Sequence, residues 1–370
     1  MSARFLTVVL ERAFNMRDGF GREIDYMRIS VIDSCNLNCY YCNPCDNNEH
    51  CHALNILSVK EVLCIVRAAT RLGIKHFRLT GGEPLLHPQL DEMVLQIKKI
   101  PGVSSVSLTT NAVLLAQHAK WLKEAGIDSI NVSLDTIDAS EYERITKKPL
   151  LEEVKHGINA AIECGIRVKI NVVLTPQTDV VALTRYVAKK GTDIRFIEMM
   201  PVGEGHTNGV EPYKKVIGTL SKLYGEPCRI NTEKTKEINS GNDKRKIPDN
   251  GPAEYYIFPE LGIRVGLIQA IHGKFCDTCN RIRVTADGRL MPCLGSSVTM
   301  DLVPDSWDFA DDVEKDFAIV RALRAAIKAK PGCHNFNDNA VTYTKTTEKK
   351  TTEIEAAEVN AARNMSRIGG

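Results

Sequence analysis

Three helical patterns in the first half of the chain stop on the same pair of residues, a glycine followed by an isoleucine: "RLGIKH" (71–76), "EAGIDS" (124–129) and "ECGIRV" (163–168). Glycine takes the left-handed backbone position that closes a helix, and the isoleucine opens the strand that follows. This is a repeated strand–helix unit, the pattern of a parallel α/β sheet. The strands read as short runs rich in Val, Ile and Phe at 26–33, 74–80, 103–110, 128–135, 167–175 and 193–200. Between the first two, Ser58 and Glu61 form a capping box ahead of Val62, Ile65, Val66, Ala69 and Leu72 at helical spacing. Leu115, Ala119, Leu122 and Ala125 repeat that spacing later. Six units predict an incomplete parallel (βα)6 barrel, with an open doubly wound sheet as the alternative.

The rhythm changes near residue 205. "VGEGHTNGVEPYKK" (202–215) is loop-like, and 231–252 is a polar surface segment. "EYYIFPE" and "GIRVGLIQ" then suit a smaller C-terminal domain. The expected organisation is a barrel over 1–205, a second domain over 206–336 and a polar tail over 337–370. The tail, centred on "TKTTEKKTTE", has little apolar surface to bury.

The net charge of +2 gives no general field for nucleic acid or an anionic membrane. No stretch approaches the roughly 20 apolar residues of a membrane span. The N-terminal apolar run is six residues long, too short for a secretory core, although Arg4, Arg12 and Arg17 keep a transit peptide open. A cytoplasmic protein is expected.

Twelve cysteines without an export signal point to metal or redox chemistry, not disulfides. Cys35, Cys39 and Cys42 follow the first strand, on the face where parallel barrels carry their chemistry. Structural zinc wants four ligands. Three thiolates on a four-iron cluster leave one iron open for a ligand. Cys276, Cys279 and Cys293 form a second group of three. A zinc ribbon completed by His272 or Cys333 stays open there. Arg281 and Arg283 follow at i and i+2 on one face of an extended segment, an arrangement suited to polyphosphate. Cys45, His50, Cys51 and His52 lie close to the first group without a second ligand set, and read as a solvated loop.

The spacing C-x3-C-x2-C with Tyr41, followed in order by "TGGEP" (80–84) and "NVSLD" (131–135), resembles the radical S-adenosylmethionine superfamily. A longer series resembles one family within it, the GTP 3′,8-cyclases of molybdenum cofactor biosynthesis. It comprises "GREIDYMRISVIDSCNLNCYYC", "LTGGEPLL", "LTTN", "INVSLD", "RFIEMMPVGEG", "GPAEYY", "FCDTCNRIRVTADG" and the terminal "IGG", and spans about residues 14 to 336 and the last few. Ala112 stands where that family usually has glycine, and His87 where it commonly has arginine.

The resemblance implies a lyase with two [4Fe–4S] clusters. Cys35, Cys39 and Cys42 would hold the first, with S-adenosylmethionine lined by Tyr41, Gly82, Ser133 and Met200. Cys276, Cys279 and Cys293 would hold the second, against the guanine of GTP. Arg28, Arg78, Thr109, Lys169, Arg195, Arg281, Ile282 and Arg283 would contact GTP, and Gly369 and Gly370 would reach into the site beside Arg281 and Arg283. A 5′-deoxyadenosyl radical would take the C3′ hydrogen of GTP, and attack on C8 would give 3′,8-cyclo-7,8-dihydro-GTP. The implied partners are a small electron donor, the downstream cyclic pyranopterin monophosphate synthase and a second copy of the chain. The alternatives are another radical enzyme with an auxiliary cluster, such as a peptide-modifying maturase, and a non-enzymatic metal- or nucleotide-binding module.

Overall fold

The computed structural model describes residues 16–42, 55–202, 209–230, 251–296, 299–302, 312–334 and 336. The N-terminal apolar run, the Cys45–His52 segment, most of the polar stretch at 231–252, the tail and Gly369–Gly370 lie outside the described residues.

The six expected strands are all present: β1 (Tyr26–Ser30), β2 (His76–Thr80), β3 (Ser105–Thr110), β4 (Ser129–Ser133), β5 (Val168–Val173) and β6 (Asp193–Ile197). They pair in sequence order, each parallel to the next. Between them run α1 (Val59–Arg71), α2 (Leu90–Lys98), α3 (Leu115–Glu124), α4 (Ala139–Thr146), α5 (Leu151–Glu163) and α6 (Val180–Lys189). The capping box at the start of α1 is formed in both directions, Ser58 N donating to Glu61 and Glu61 N to Ser58 Oγ. Gly73, Gly126 and Gly165 all take positive φ, +86°, +88° and +68°. Ile74, Ile127 and Ile166 behind them are buried. Each buried isoleucine is worth roughly 1.5–3 kcal/mol, so the glycine turn and the anchoring side chain act together.

The second half of the chain extends this sheet. It adds α7 (Gly218–Tyr224), β7 (Cys228–Ile230), β8 (Glu254–Ile257), β9 (Arg264–Ile268), β10 (Arg281–Val284), β11 (Arg289–Met291), β12 (Met300–Asp301) and α8 (Asp312–Lys328). The resulting twelve-stranded sheet runs β12-β11-β10-β1-β2-β3-β4-β5-β6-β9-β8-β7. β10 is parallel to β1 and β9 is parallel to β6. Eight parallel strands therefore stand side by side where sequence periodicity shows six. The two flanking strands escaped because each reaches the sheet through a crossover from a distant part of the chain.

α8 lies on α1, where Arg71 pairs with Asp316 at 2.8 Å. Ile319, Leu323, Ala326 and Ile327 of α8 belong to the same apolar core as Val62, Ile65 and Ala69 of α1. Residues on both sides of position 205 thus share one sheet and one core.

Candidate active site

Strand alternation sorts each barrel strand into two faces. Met27 and Ile29 of β1 join the apolar core, while Arg28 faces the interior. All eight parallel strands contribute to the wall of a single cavity of about 280 Å³: Arg28 from β1, Thr80 from β2, Thr109 from β3, Ser133 from β4, Asn171 from β5, Ile197 from β6, and Ile268, Arg281 and Arg283 from β9 and β10, the last two, like the rest, pointing inward. A sheet whose strands all border one cavity is curled around it.

Both cysteine groups face this cavity, and they enter from opposite ends. Cys35, Cys39 and Cys42 follow β1, at the C-terminal ends of the strands. Cys276 and Cys279 precede β10, which is parallel to β1, so they lie at the N-terminal ends. Cys293 follows β11, which is antiparallel to β10, and returns to that same end.

The first group is built on a tight loop. Cys42 N donates to the Cys39 carbonyl at 2.9 Å. Leu37 N and Asn111 Nδ2 both donate toward Cys35 Sγ, at 3.4 and 3.8 Å. Burial pushes the Cys35 thiol up to about 11 and the Cys42 thiol up to about 12, so each gives up its proton only on gaining a metal. Gly81 and Gly82 hold the loop from below. Gly82 N donates to Ile32 O and Glu83 N to Ser34 O, both at 2.8 Å. A Cβ on Gly82 would fall far inside contact with Ser34 O, and one on Gly81 with Ile32 O. The glycines thus serve a chain-to-chain approach, and both also border the cavity.

Three polar residues of the quoted motifs, without an assigned role in the sequence, complete this end. Glu83 is fully buried, accepts from Thr110 Oγ1 (2.6 Å), Asn111 N (2.7 Å) and Leu85 N (3.0 Å), and is pushed up to about 7 by burial. It ties the β2 and β3 ends together. Asp135 accepts from Tyr41 Oη at 2.6 Å and Val173 N at 2.7 Å, and burial pushes it up to about 6. Asn111 reaches both Cys35 and Asn36. Tyr41, Gly82, Ser133 and Met200 all border the cavity beside them.

Arginines fill the middle of the barrel. Register aligns Arg283 of β10, Arg28 of β1 and Arg78 of β2 in one row across three neighbouring strands. Arg281 and Tyr26 form the row beneath. Burial lowers Arg28 well below the ordinary guanidinium value, Arg283 and Arg78 lower it further, and the one neighbour acting oppositely is Tyr26. Arg283 falls to about 10, first through burial and then through Arg281. Tyr26 is itself drawn down to about 8: burial raises it, but Arg78, Arg28 and Arg281 outweigh that. Such a concentration of positive charge in one cavity suits an anion.

On the opposite wall, Arg195 Nε donates to Asn171 Oδ1 at 2.9 Å, and its Nη2 is buried without a hydrogen-bond partner among the described residues. Gly266 makes room for it; a Cβ there would sit 2.8 Å from Arg195 Cγ. Lys169 Nζ donates to Tyr255 Oη at 3.4 Å. Arg78 contacts Thr109 Oγ1 at 3.3 Å. Of the expected contact residues, Arg28, Thr109, Arg281 and Arg283 border the cavity; Arg78, Lys169 and Arg195 do not, although Arg78 bonds to Thr109 and Arg195 to Asn171, which do. The Ile282 side chain is on the other face of β10, in the apolar core, which leaves only its backbone toward the interior.

At the second group, burial raises the Cys279 thiol, but Lys330 and Arg281 more than offset this and hold it below its ordinary value. Arg22 donates to the Cys276 carbonyl, and Lys330 to the carbonyls of Arg281 and Pro292. Of the two candidates for a fourth zinc ligand, His272 Nδ1 is engaged by Glu198, and Cys333 lies beside Cys276. Among the described residues no three His, Cys, Asp or Glu side chains converge on one ion-sized point. Each group turns three thiols toward the cavity, the donor set of a four-iron cluster with one iron left open. Both groups fit a cluster. Arg22, Tyr26 and Lys330 carried no local signal, since each stands among other charged residues in the sequence.

His87 is buried, its Nε2 bonded with Leu57 O at 2.9 Å and its Nδ1 accepting from Gln89 N. Ala112 takes φ +65°, the left-handed angle that glycine adopts more easily.

The site therefore belongs to a class: a partial parallel barrel with a three-cysteine loop after its first strand. The Radical SAM superfamily model matches residues 29–182, and the Molybdenum Cofactor Synthesis C model matches 192–336. The fold is similar to that of Streptococcus suis SuiB bound to S-adenosylmethionine, with a TM-score of 0.54 at 14% identity over 81% of this chain and 65% of that one. Within the class, the chain is 35% identical over 324 residues to the GTP 3′,8-cyclase of Clostridium perfringens, covering 87% of this chain and 95% of that protein. It is 36% identical over 327 residues to the Pelotomaculum thermopropionicum enzyme of that name, at 86% and 95% coverage. The chain belongs to the GTP 3′,8-cyclase family.

Proposed function

We propose that the chain converts GTP to 3′,8-cyclo-7,8-dihydro-GTP, the first step of molybdenum cofactor biosynthesis. The observation that carries this reading is the pair of cysteine groups at opposite ends of one barrel with a band of buried arginines between them. Cys35, Cys39 and Cys42 would hold one four-iron cluster with S-adenosylmethionine against Tyr41, Gly82, Ser133 and Met200. Cys276, Cys279 and Cys293 would hold a second, facing the guanine. When bound, the first cluster and S-adenosylmethionine supply the 5′-deoxyadenosyl radical.

The protein's own residues position and enclose. Arg28, Arg281 and Arg283, together with Arg78, Lys169 and Arg195, bind the triphosphate through charge-assisted hydrogen bonds. Thr109 and the Ile282 backbone complete the wall. The guanidiniums are already close together before the anion arrives, so binding relieves their mutual repulsion. A peptide substrate would not need that band, which favours GTP over a maturase-like reading. Asp135 fixes the Tyr41 ring, and Glu83 fixes the loops on which the cofactor would rest. Holding C3′ next to the nascent radical in a closed barrel supplies proximity and excludes water. Gly369 and Gly370 are assigned to the site as well; removing both should lower kcat while GTP binding persists. A small electron donor, the downstream synthase and a second copy of the chain complete the proposed partners.

The test is anaerobic reconstitution followed by S-adenosylmethionine, dithionite and GTP. About eight irons per chain, as two four-iron clusters require, with deoxyadenosine formed only alongside GTP loss, is the expected result. Deoxyadenosine with GTP untouched would reject the substrate.

A further inference from the structure

The two cysteine groups sit in electrostatic surroundings of opposite sign. At the first, the donors reaching Cys35 Sγ are neutral, Leu37 N and Asn111 Nδ2. The nearby charged side chains are the carboxylates of Glu83 and Asp135, which border the same loops. At the second, the neighbours are cations: Arg281, Arg283 and Lys330.

Lys330 is the most deeply placed of these, 2% exposed just beyond the end of α8. Its ammonium donates to the carbonyl of Arg281 and to that of Pro292, each at 2.8 Å, and it lies against Cys279. Arg281 is two residues past Cys279, and Pro292 immediately precedes Cys293. One side chain therefore links the two separate segments that carry the second group. Both hydrogen-bonded oxygens are backbone carbonyls, and no Asp or Glu pairs with Lys330 among the described residues. A buried ammonium without a carboxylate is costly unless another anion faces it. The anion available here is the cysteine group together with whatever it holds.

We propose that Lys330 is a positioning residue for the second cluster: its ammonium fixes the Cys279 and Cys293 segments relative to one another and is the counter-charge that makes this cluster easier to reduce than the first. The claim rests on the reading above that Cys276, Cys279 and Cys293 hold an iron–sulfur cluster. Reduction adds one electron, and so one negative charge, to the cluster. A fixed cation favours the reduced form and raises the potential, whereas the ionised Asp135 carboxylate lowers it at the first. The division suits the proposed chemistry, since only the first cluster has to reduce a bound sulfonium.

The experiment uses the full chain carrying Cys35→Ala, Cys39→Ala and Cys42→Ala, so that only the second group can bind iron. Lys330→Met, Lys330→Gln and Lys330→Arg are each added to it, and each protein is titrated potentiometrically with detection by electron paramagnetic resonance. In the parent, about four irons are expected. Lys330→Met and Lys330→Gln should lower the reduced-to-oxidised ratio at a fixed potential at least tenfold, which is 59 mV for one electron. Lys330→Arg should stay near the parent. Loss of iron in both neutral variants, with iron retained in Lys330→Arg, also supports the claim. A neutral variant that keeps its cluster at the parent potential overturns it. A parent chain that binds no iron overturns the cluster reading itself and is recognised before any lysine variant is made.

Discussion

Arg22 Nη1 donates to the carbonyl of Cys276 at 2.6 Å. The same guanidinium donates to the carbonyls of Pro331 and Gly332 and pairs through Nε with Asp18 at 2.6 Å. A turn ahead of β1 is thereby fastened to the second cysteine group and to the segment just past Lys330. Because Asp18 is buried, Arg22→Met leaves a carboxylate without its partner, which costs about 3–5 kcal/mol. Asp18→Asn with Arg22→Met should recover part of that loss. Urea denaturation of the three variants checks the order, and iron should fall at the second group and not the first.

Gly82 predicts the converse selectivity. Gly82→Ala drives a methyl into Ser34 O, so the loop carrying Cys35, Cys39 and Cys42 must move. The fold should persist, since the contact is local. Iron should drop by about half, the share of one of two equal clusters, and S-adenosylmethionine binding should weaken at least tenfold. Full iron with unchanged cofactor affinity would show that the approach is dispensable.

The arginine band predicts a trade between stability and affinity. Removing one buried like charge by Arg283→Met should raise the urea midpoint. The same change removes hydrogen bonds to charged phosphate, worth about 1.5–3 kcal/mol, so GTP should bind roughly tenfold to a hundredfold more weakly. Guanosine, which has no phosphates, should bind nearly as before. Equal losses for GTP and guanosine would mean that Arg283 serves the base.

Much of this was legible in the sequence, for identifiable reasons. Gly73, Gly126 and Gly165 marked the repeated unit because a left-handed helix end has few residue choices. Ala112 was visible as a departure, and its φ of +65° is the conformation that glycine would take. The partners of β1 and β6 were not legible: β10 and β9 are short, and nothing local reveals a parallel neighbour about 70 residues on, as for β6, or more than 200, as for β1. The role of Gly82 was half visible. Its close approach could be inferred, but the approaching atom, Ser34 O, is set by tertiary structure. Lys330 was not singled out, because its two carbonyl partners, on Arg281 and Pro292, are brought to it only by the fold.

Asp135 gives a pH signature. Its folded-state value of about 6 lies above the ordinary aspartate value of 3.8. The folded chain therefore holds this proton more tightly than the unfolded chain. The associated stability is present below about pH 4 and is lost as pH rises through 6, by a few kcal/mol at most. Asparagine can accept from Val173 N and donate to Tyr41 Oη without ionising. In cluster-free protein, Asp135→Asn should be most stabilising relative to the parent above pH 6, and the advantage should shrink toward pH 4. Thermal melts across that range check the sign.

The most direct measurement follows a single hydrogen. GTP carrying deuterium at C3′ is turned over once, and the 5′-deoxyadenosine is analysed by mass spectrometry. One deuterium in the deoxyadenosine, together with cyclised product, is the predicted result; it places the ribose C3′ between the two cysteine groups. Unlabelled deoxyadenosine formed at the same rate with and without GTP would contradict the account.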